Sequence, residues 1–249
     1  MRTAVRYAVM VVLAIQAVGC SSTGEGLRVA QDAGIGLDTV PEELDMGVQG
    51  LRYLALGDSY TIGERVEAPE RWPNQLAARL DADGVPVAST EIIARTGWTT
   101  ANLDAGIDAA APEGPYGLVS LLIGVNNQYQ GRDAEQYRQE LVRLLERSNA
   151  LAGGEARRVF VVSIPDWGVT PFAADRDRAA VSAEIDAFNA ICREETLRLG
   201  LVHVDITPIS RQPDPERRLV APDGLHPSGE QYRQWVELIL PVAKAAATP

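Results

Sequence analysis

A chain of 249 residues, 46% of them hydrophobic, has enough material for one sizeable core. Its 34 acidic and 23 basic side chains give a net charge of −11, which disfavours nucleic acid and strongly anionic lipid surfaces, because phosphate binding needs clustered Lys and Arg. Two cysteines and two histidines are too few for a Cys/His metal site, and neither metal nor cofactor is expected.

Arg2 and Arg6 precede an apolar run from Ala8 to Val18 that is short for a membrane span but of signal-peptide length. It ends at Ala17-Val18-Gly19-Cys20, which resembles a bacterial lipobox. Residues 1–19 are therefore expected to be a lipoprotein signal peptide, with Cys20 lipidated as the new N-terminus. An ordinary secretory signal with a chance cysteine is the plainer alternative. Residues 20–48, rich in Gly, Asp and Glu without periodicity, read as a flexible tether, and 49–249 as the globular domain. The expected location is the cell envelope, reached by secretion across the cytoplasmic membrane and held by lipid alone. Each buried methylene would contribute about 0.8 kcal/mol. Ser21 in place of Asp favours the outer membrane if the cell is Gram-negative.

Strand and helix patterns then alternate. Leu51–Leu56 is an apolar strand. Trp72–Ala82 has helical spacing, with Trp72, Leu76, Ala77 and Leu80 on one face, and stops at Gly84. Thr90–Ala94 is a second strand, Thr99–Ile107 a short helix and Leu118–Ile123 a third strand. Ala134–Leu151 is an amphipathic helix turning Tyr137, Leu141, Leu144 and Leu145 inward, closed by Gly153-Gly154. Val159–Ile164 is the fourth strand. Arg178–Leu199 is a helix with Val181, Ile185, Phe188, Ile191 and Cys192 inward. Leu201–Ile206 is the fifth strand, and Ser228–Ala247 a closing helix with Tyr232, Trp235, Leu238 and Ile239 on its apolar side. Continuous apolar strands separated by helices predict an α/β fold with a five-stranded parallel sheet covered on both faces, whose reactive groups gather beyond the carboxyl ends of the strands.

Ser59 follows the first strand. Asp223 and His226 stand three apart in a Pro/Gly-rich loop before the last helix. One short turn can hold that carboxylate against the imidazole while the second ring nitrogen faces a serine. A serine hydroxyl is a poor nucleophile at neutral pH and needs such a base. Ser59, His226 and Asp223 are thus candidate nucleophile, base and orienting acid.

Four blocks extend this: Leu56-Gly57-Asp58-Ser59-Tyr60, Ala94-Arg95-Thr96-Gly97-Trp98-Thr99, Ile123-Gly124-Val125-Asn126-Asn127 and Asp223-Gly224-Leu225-His226. In this order they resemble the SGNH, or GDSL-type, ester hydrolases over residues 50 to 245. The resemblance implies a flavodoxin-like three-layer α/β/α sandwich and a serine esterase working through an acyl-enzyme. It also implies an oxyanion hole from the Ser59 and Gly97 backbone N–H groups and the Asn126 amide. One position departs from the pattern: Asn127 stands where Asp is common. The small ester, acylated sugar or lipid substrate is left open. So are two other activities on the same fold, acyl transfer to a hydroxyl and non-catalytic envelope binding. Trp98, Tyr129 and Trp167 are candidates for substrate contact, while His203, among core-like neighbours in the fifth strand, reads as structural.

Overall fold

The computed structural model describes residues 50–212, 214, 216 and 218–247. The signal peptide, Cys20 and the tether expected from the sequence lie outside these residues. The described strands are β1 (Leu51–Asp58), β2 (Val87–Arg95), β3 (Leu118–Leu122), β4 (Val159–Val162) and β5 (Val202–Val204). They form one five-stranded parallel sheet in the order β2-β1-β3-β4-β5. Eight α-helices accompany them: α1 (Ser59–Ile62), α2 (Trp72–Ala82), α3 (Thr100–Ala110), α4 (Val125–Tyr129), α5 (Ala134–Leu151), α6 (Arg178–Arg198), α7 (Thr207–Ser210) and α8 (Gly229–Ala247).

The helices form two layers. α2 packs on α8 and β2, and α8 also reaches β3, β4 and β5; α3 packs on α5, and α5 on α6. Because both faces of the sheet are covered, the central strands are predominantly apolar: Tyr53 to Leu56 of β1 and every residue of β3 and β4 are buried, and the one polar residue of β3, Ser120, hydrogen-bonds the Tyr53 hydroxyl. This is the α/β/α sandwich expected from the sequence. The edge strands differ for a physical reason. β2 carries Ser89 exposed and Thr90 and Glu91 half-buried and runs longer than its apolar stretch, while β5 is cut to three residues, since only these pair with β4.

Two inward assignments need adjustment. Leu238 of α8 is 44% exposed. The buried stripe runs through Tyr232, Trp235, Val236, Ile239, Leu240 and Ala243. Six residues beyond Tyr232, Leu238 has turned about 240° around the helix and leaves that stripe. Ile191 is partly buried at the margin of the core, whereas Cys192 is buried. Among the described residues no helix is long and apolar enough to cross a membrane.

The chain steps from β1 outward to β2, then crosses back to β3 on the other side of β1, so β1 and β3 flank a reversal of strand order. Such a reversal leaves a crevice beyond the carboxyl ends of the strands. Gly57 is level with Ala94 of β2 and Leu122 of β3. The three segments that follow therefore leave the sheet side by side, and they carry Ser59, Gly97 and Asn126.

Candidate active site

Ser59 opens α1 immediately past β1. The turn that presents it depends on close packing: a Cβ on Gly57 would come 2.1 Å from Thr61 Oγ1 and 2.5 Å from the Leu122 carbonyl oxygen. Only glycine lets α1 fold back over the ends of β1 and β3. Asp58 caps α1, its Oδ1 accepting from the Tyr60 N–H at 3.0 Å.

His226 reaches the same place from the other end of the chain. The loop before α8 is pinned by hydrogen bonds from Ala221 N–H to the His226 carbonyl (2.7 Å) and from Ser228 N–H to the Leu219 carbonyl (2.9 Å). Within it, Asp223 Oδ2 lies 2.6 Å from His226 Nδ1, while Asp223 Oδ1 accepts the N–H groups of Leu225 (2.9 Å) and His226 (3.0 Å). Burial pushes the Asp223 carboxyl upward, but the hydrogen bonds from the His226 ring and the two amides outweigh it and hold the group below its ordinary value. An ionised Asp223 favours the tautomer with hydrogen on Nδ1, which leaves Nε2 as an acceptor.

Ser59 and His226, both buried, line one pocket of about 190 Å³ together with Gly97 and Asn126. The Tyr60 and His226 rings stand 5.2 Å apart at 54°. Gly97 holds φ at +81° in the turn after β2, and an added Cβ would meet nothing. Its requirement for glycine is thus conformational and not one of packing. The Asn126 side-chain amide donates to the Trp98 carbonyl at 2.9 Å and, more weakly, to Asp58 Oδ2 at 3.4 Å.

Tyr129 and Trp167 both line this pocket. Trp98 does not. It follows the Thr96-Gly97 turn and precedes the Thr99 cap of α3, and its ring packs on Gly106, where an added Cβ would come 2.2 Å from it. Its contribution to the site is the carbonyl that receives Asn126. His203 sits on β5, outside the pocket lining, and burial lowers its pKa. Sequence reasoning missed Phe172, which completes an aromatic triangle with Tyr129 and Trp167 at centroid distances of 5.4, 5.9 and 6.3 Å. A single Phe in an irregular loop carries no periodic signal. The loop is fixed from both sides. The Phe172 N–H donates to the Gly224 carbonyl at 2.9 Å, and the Trp167 indole donates to Gln128 Oε1 at 2.7 Å. At its base, buried Asp166 pairs with Arg211 Nε at 2.8 Å and accepts the Gly168 N–H at 2.8 Å.

Asn127 has a structural account. Its Oδ1 accepts the Thr100 N–H at 3.0 Å, and its Nδ2 donates to Thr100 Oγ1 at 2.7 Å. The Thr100 hydroxyl proton goes to Glu140. With that proton committed, Thr100 Oγ1 can only accept, and an amide supplies the donor that an ionised carboxylate lacks.

Asp58 is fully buried, and desolvation raises its pKa from 3.8 to about 7 against the opposing hydrogen bonds from Tyr60 and Asn126. Between those values the folded chain keeps a proton that the unfolded chain has lost. Stability from this group is therefore expected to fall as pH rises from about 4 to about 7, by on the order of a few kcal/mol. Asp223, shifted the other way, acts only as pH falls below the ordinary carboxylate range. Asp58→Asn keeps the acceptor for Tyr60 and should flatten the decline. Urea midpoints of both proteins across pH 4.5 to 7.5 check this; equal slopes would reject it.

Comparison with known proteins adds the following. A sequence model described as GDSL-like Lipase/Acylhydrolase family matches residues 55–234. No curated protein matches the chain. Among solved structures, the chain is similar to a lipase/acylhydrolase from Enterococcus faecalis, with TM-score 0.63 and 19% identity over 80% of this chain and 98% of that one. It is also similar to an acetyl xylan esterase from Geobacillus stearothermophilus (TM-score 0.58, 17% identity, 78% and 94% covered). A psychrotrophic esterase from Pseudoalteromonas sp. gives TM-score 0.56 and 17% identity, with 78% and 96% covered. At these identities the likeness is one of fold.

Proposed function

From the premise that the chain belongs to the GDSL-like lipase/acylhydrolase family, we propose that it hydrolyses carboxylic esters through an acyl-enzyme on Ser59. The observation that carries this reading is the 2.6 Å Asp223–His226 pair beside a pocket that Ser59 also lines. Ser59 Oγ attacks the ester carbonyl carbon and passes its proton to His226 Nε2. The carbonyl oxygen becomes anionic and is held by the Ser59 and Gly97 N–H groups and by Asn126. The amide hydrogen directed at Asp58, 3.4 Å away, is the weaker-held of the two and is released to the oxyanion. His226 then protonates the alcohol oxygen as the carbon–oxygen bond breaks. Water attacks the acyl-enzyme, giving a proton to His226, and the free acid leaves as Ser59 regains its hydrogen. Val125, Tyr129, Trp167, Phe172 and Leu225 give the acyl group an apolar, aromatic wall, and the small volume suits a short chain. A fluorophosphonate tests this directly: mass spectrometry should find the adduct on Ser59 alone, and an adduct on another residue would refute the assignment.

The chain is further proposed to be a lipoprotein anchored through Cys20 in the cell envelope, supported by the Ala17-Val18-Gly19-Cys20 sequence. Cys20→Ala should move the protein from the membrane pellet to the soluble fraction. Unchanged sedimentation would exclude a lipid anchor at this residue.

A further inference from the structure

Trp167 belongs to two spaces at once. It lines the reaction pocket of about 190 Å³, and it also lines a cavity of about 280 Å³ bounded by Ala180, Val181 and Glu184 of α6. Tyr129 borders both spaces as well, and its ring meets the Trp167 ring edge to face at a centroid distance of 5.4 Å. The indole therefore closes the acyl pocket against open volume, not against packed core. Packing alone does not decide how far that ring stands from Ser59.

A hydrogen-bonded relay decides it. The main chain at Trp167 is fixed: its carbonyl accepts the Thr170 N–H at 3.1 Å and the Thr170 hydroxyl at 2.7 Å, and Asp166 accepts the Gly168 N–H at 2.8 Å. These bonds leave the indole free to turn about its own side-chain bonds. Its single polar atom is what stops it, donating to Gln128 Oε1 at 2.7 Å. Gln128, 5% exposed on α4, donates its Nε2 to the Glu184 carboxylate at 2.7 Å. An indole N–H can only donate and a carboxylate oxygen only accept, so the amide has one orientation that satisfies both. Glu184 thus orients Gln128, and Gln128 holds Trp167. Without that acceptor the indole N–H would be buried and unpaired, which is costly. The ring would turn towards the cavity behind it, where Gly131 and Arg176 are exposed to water, and the acyl pocket would lengthen.

We infer that Gln128 is a specificity-determining positioning residue: it holds Trp167 as the end wall of the acyl pocket and so limits the site to short acyl chains. The inference rests on the ester-hydrolase reading for its substrate, but the hold on Trp167 can be tested without turnover. The first measurement is the ratio of kcat/KM for p-nitrophenyl octanoate to that for p-nitrophenyl acetate, which differ only in the acyl group. In Gln128→Met, which keeps the length of the side chain and removes the acceptor, the ratio should rise about tenfold, through a lower KM for the octanoate. A factor of ten corresponds to roughly 1.4 kcal/mol, the scale of one hydrogen bond. Gln128→Glu sets two carboxylates against each other and should raise the ratio likewise. Adding Glu184→Gln to it restores an amide–carboxylate pair with an acceptor towards the indole, and the ratio should return to within about threefold of wild type. An unchanged ratio in folded Gln128→Met, or a double variant no closer to wild type than Gln128→Glu, overturns the inference. The second measurement is ¹⁹F NMR of the full-length chain labelled with 5-fluorotryptophan, the Trp167 resonance being assigned by its loss in Trp167→Phe. In Gln128→Met that resonance should move while those of the core residues Trp72 and Trp235 stay in place; an unmoved Trp167 resonance overturns the inference. If it moves but wild type cleaves neither ester, the ester-hydrolase reading fails and the hold of Gln128 on Trp167 stands.

Discussion

Ser59→Ala is expected to lower kcat on a short p-nitrophenyl ester by on the order of 10⁶, as loss of the nucleophile does in enzymes whose triad acts as a unit. The size of the effect follows from what remains. His226 would still carry its Asp223 partner, but the only proton acceptor in the pocket would have no hydroxyl to activate. Residual turnover would come from water in the oxyanion hole alone. The substitution should be silent for the fold. Asp58, not Ser59, caps α1, and the tight approach at this turn is made by Gly57. Circular dichroism and the melting temperature should therefore match wild type. An inactive but folded variant supports the assignment; a folded variant that still turns over would mean that the nucleophile is another residue.

Asp223→Asn should cost about 10⁴ in kcat with little change in KM, the scale seen when an orienting carboxylate becomes an amide. Here the direction of the amide is dictated by the backbone. Oδ1 accepts two N–H groups, from Leu225 and His226, so the amide oxygen must stay there and its NH₂ must face His226 Nδ1. That nitrogen then has to accept, its hydrogen moves to Nε2, and the imidazole can no longer take the Ser59 proton. Reversing the amide would set NH₂ against two N–H donors. Steady-state kinetics on the purified variant decide the matter. Activity within tenfold of wild type would show that the carboxylate neither fixes the tautomer nor stabilises the imidazolium.

The parts of this molecule that could be read in advance are those where burial is periodic or continuous. β3, β4 and the Tyr53–Leu56 stretch of β1 are sealed on both faces and appear as nearly continuous apolar runs; α2, α5 and α6 repeat their buried positions at helical spacing. The short elements escaped. α1 and α4 have four and five residues, less than two turns, and follow from the strand ends they adjoin. Strand edges shifted where side-chain pattern and backbone pairing part company, as in β2 and β5. Motif residues were legible because each stands next to a strand or within a turn. Their supports were not: the Asp166–Arg211 pair, the Asn127–Thr100–Glu140 chain and the Phe172 contact join residues 27 to 52 positions apart. Nothing local in either segment announces such a partner. Trp98 illustrates the converse. An aromatic beside a motif glycine invites a role in binding, yet its ring packs on Gly106 of α3 and leaves only its carbonyl for the site.

The bond from Phe172 N–H to the Gly224 carbonyl ties the aromatic wall to the very turn that holds Asp223 and His226. Anyone redesigning this chain for bulkier acids would reach first for Phe172. Carving space there also pulls on the strap that steadies the imidazole. Selectivity and turnover are mechanically joined in this molecule, and a change of diet is best sought at Tyr129, whose ring, on α4, hangs from a different segment.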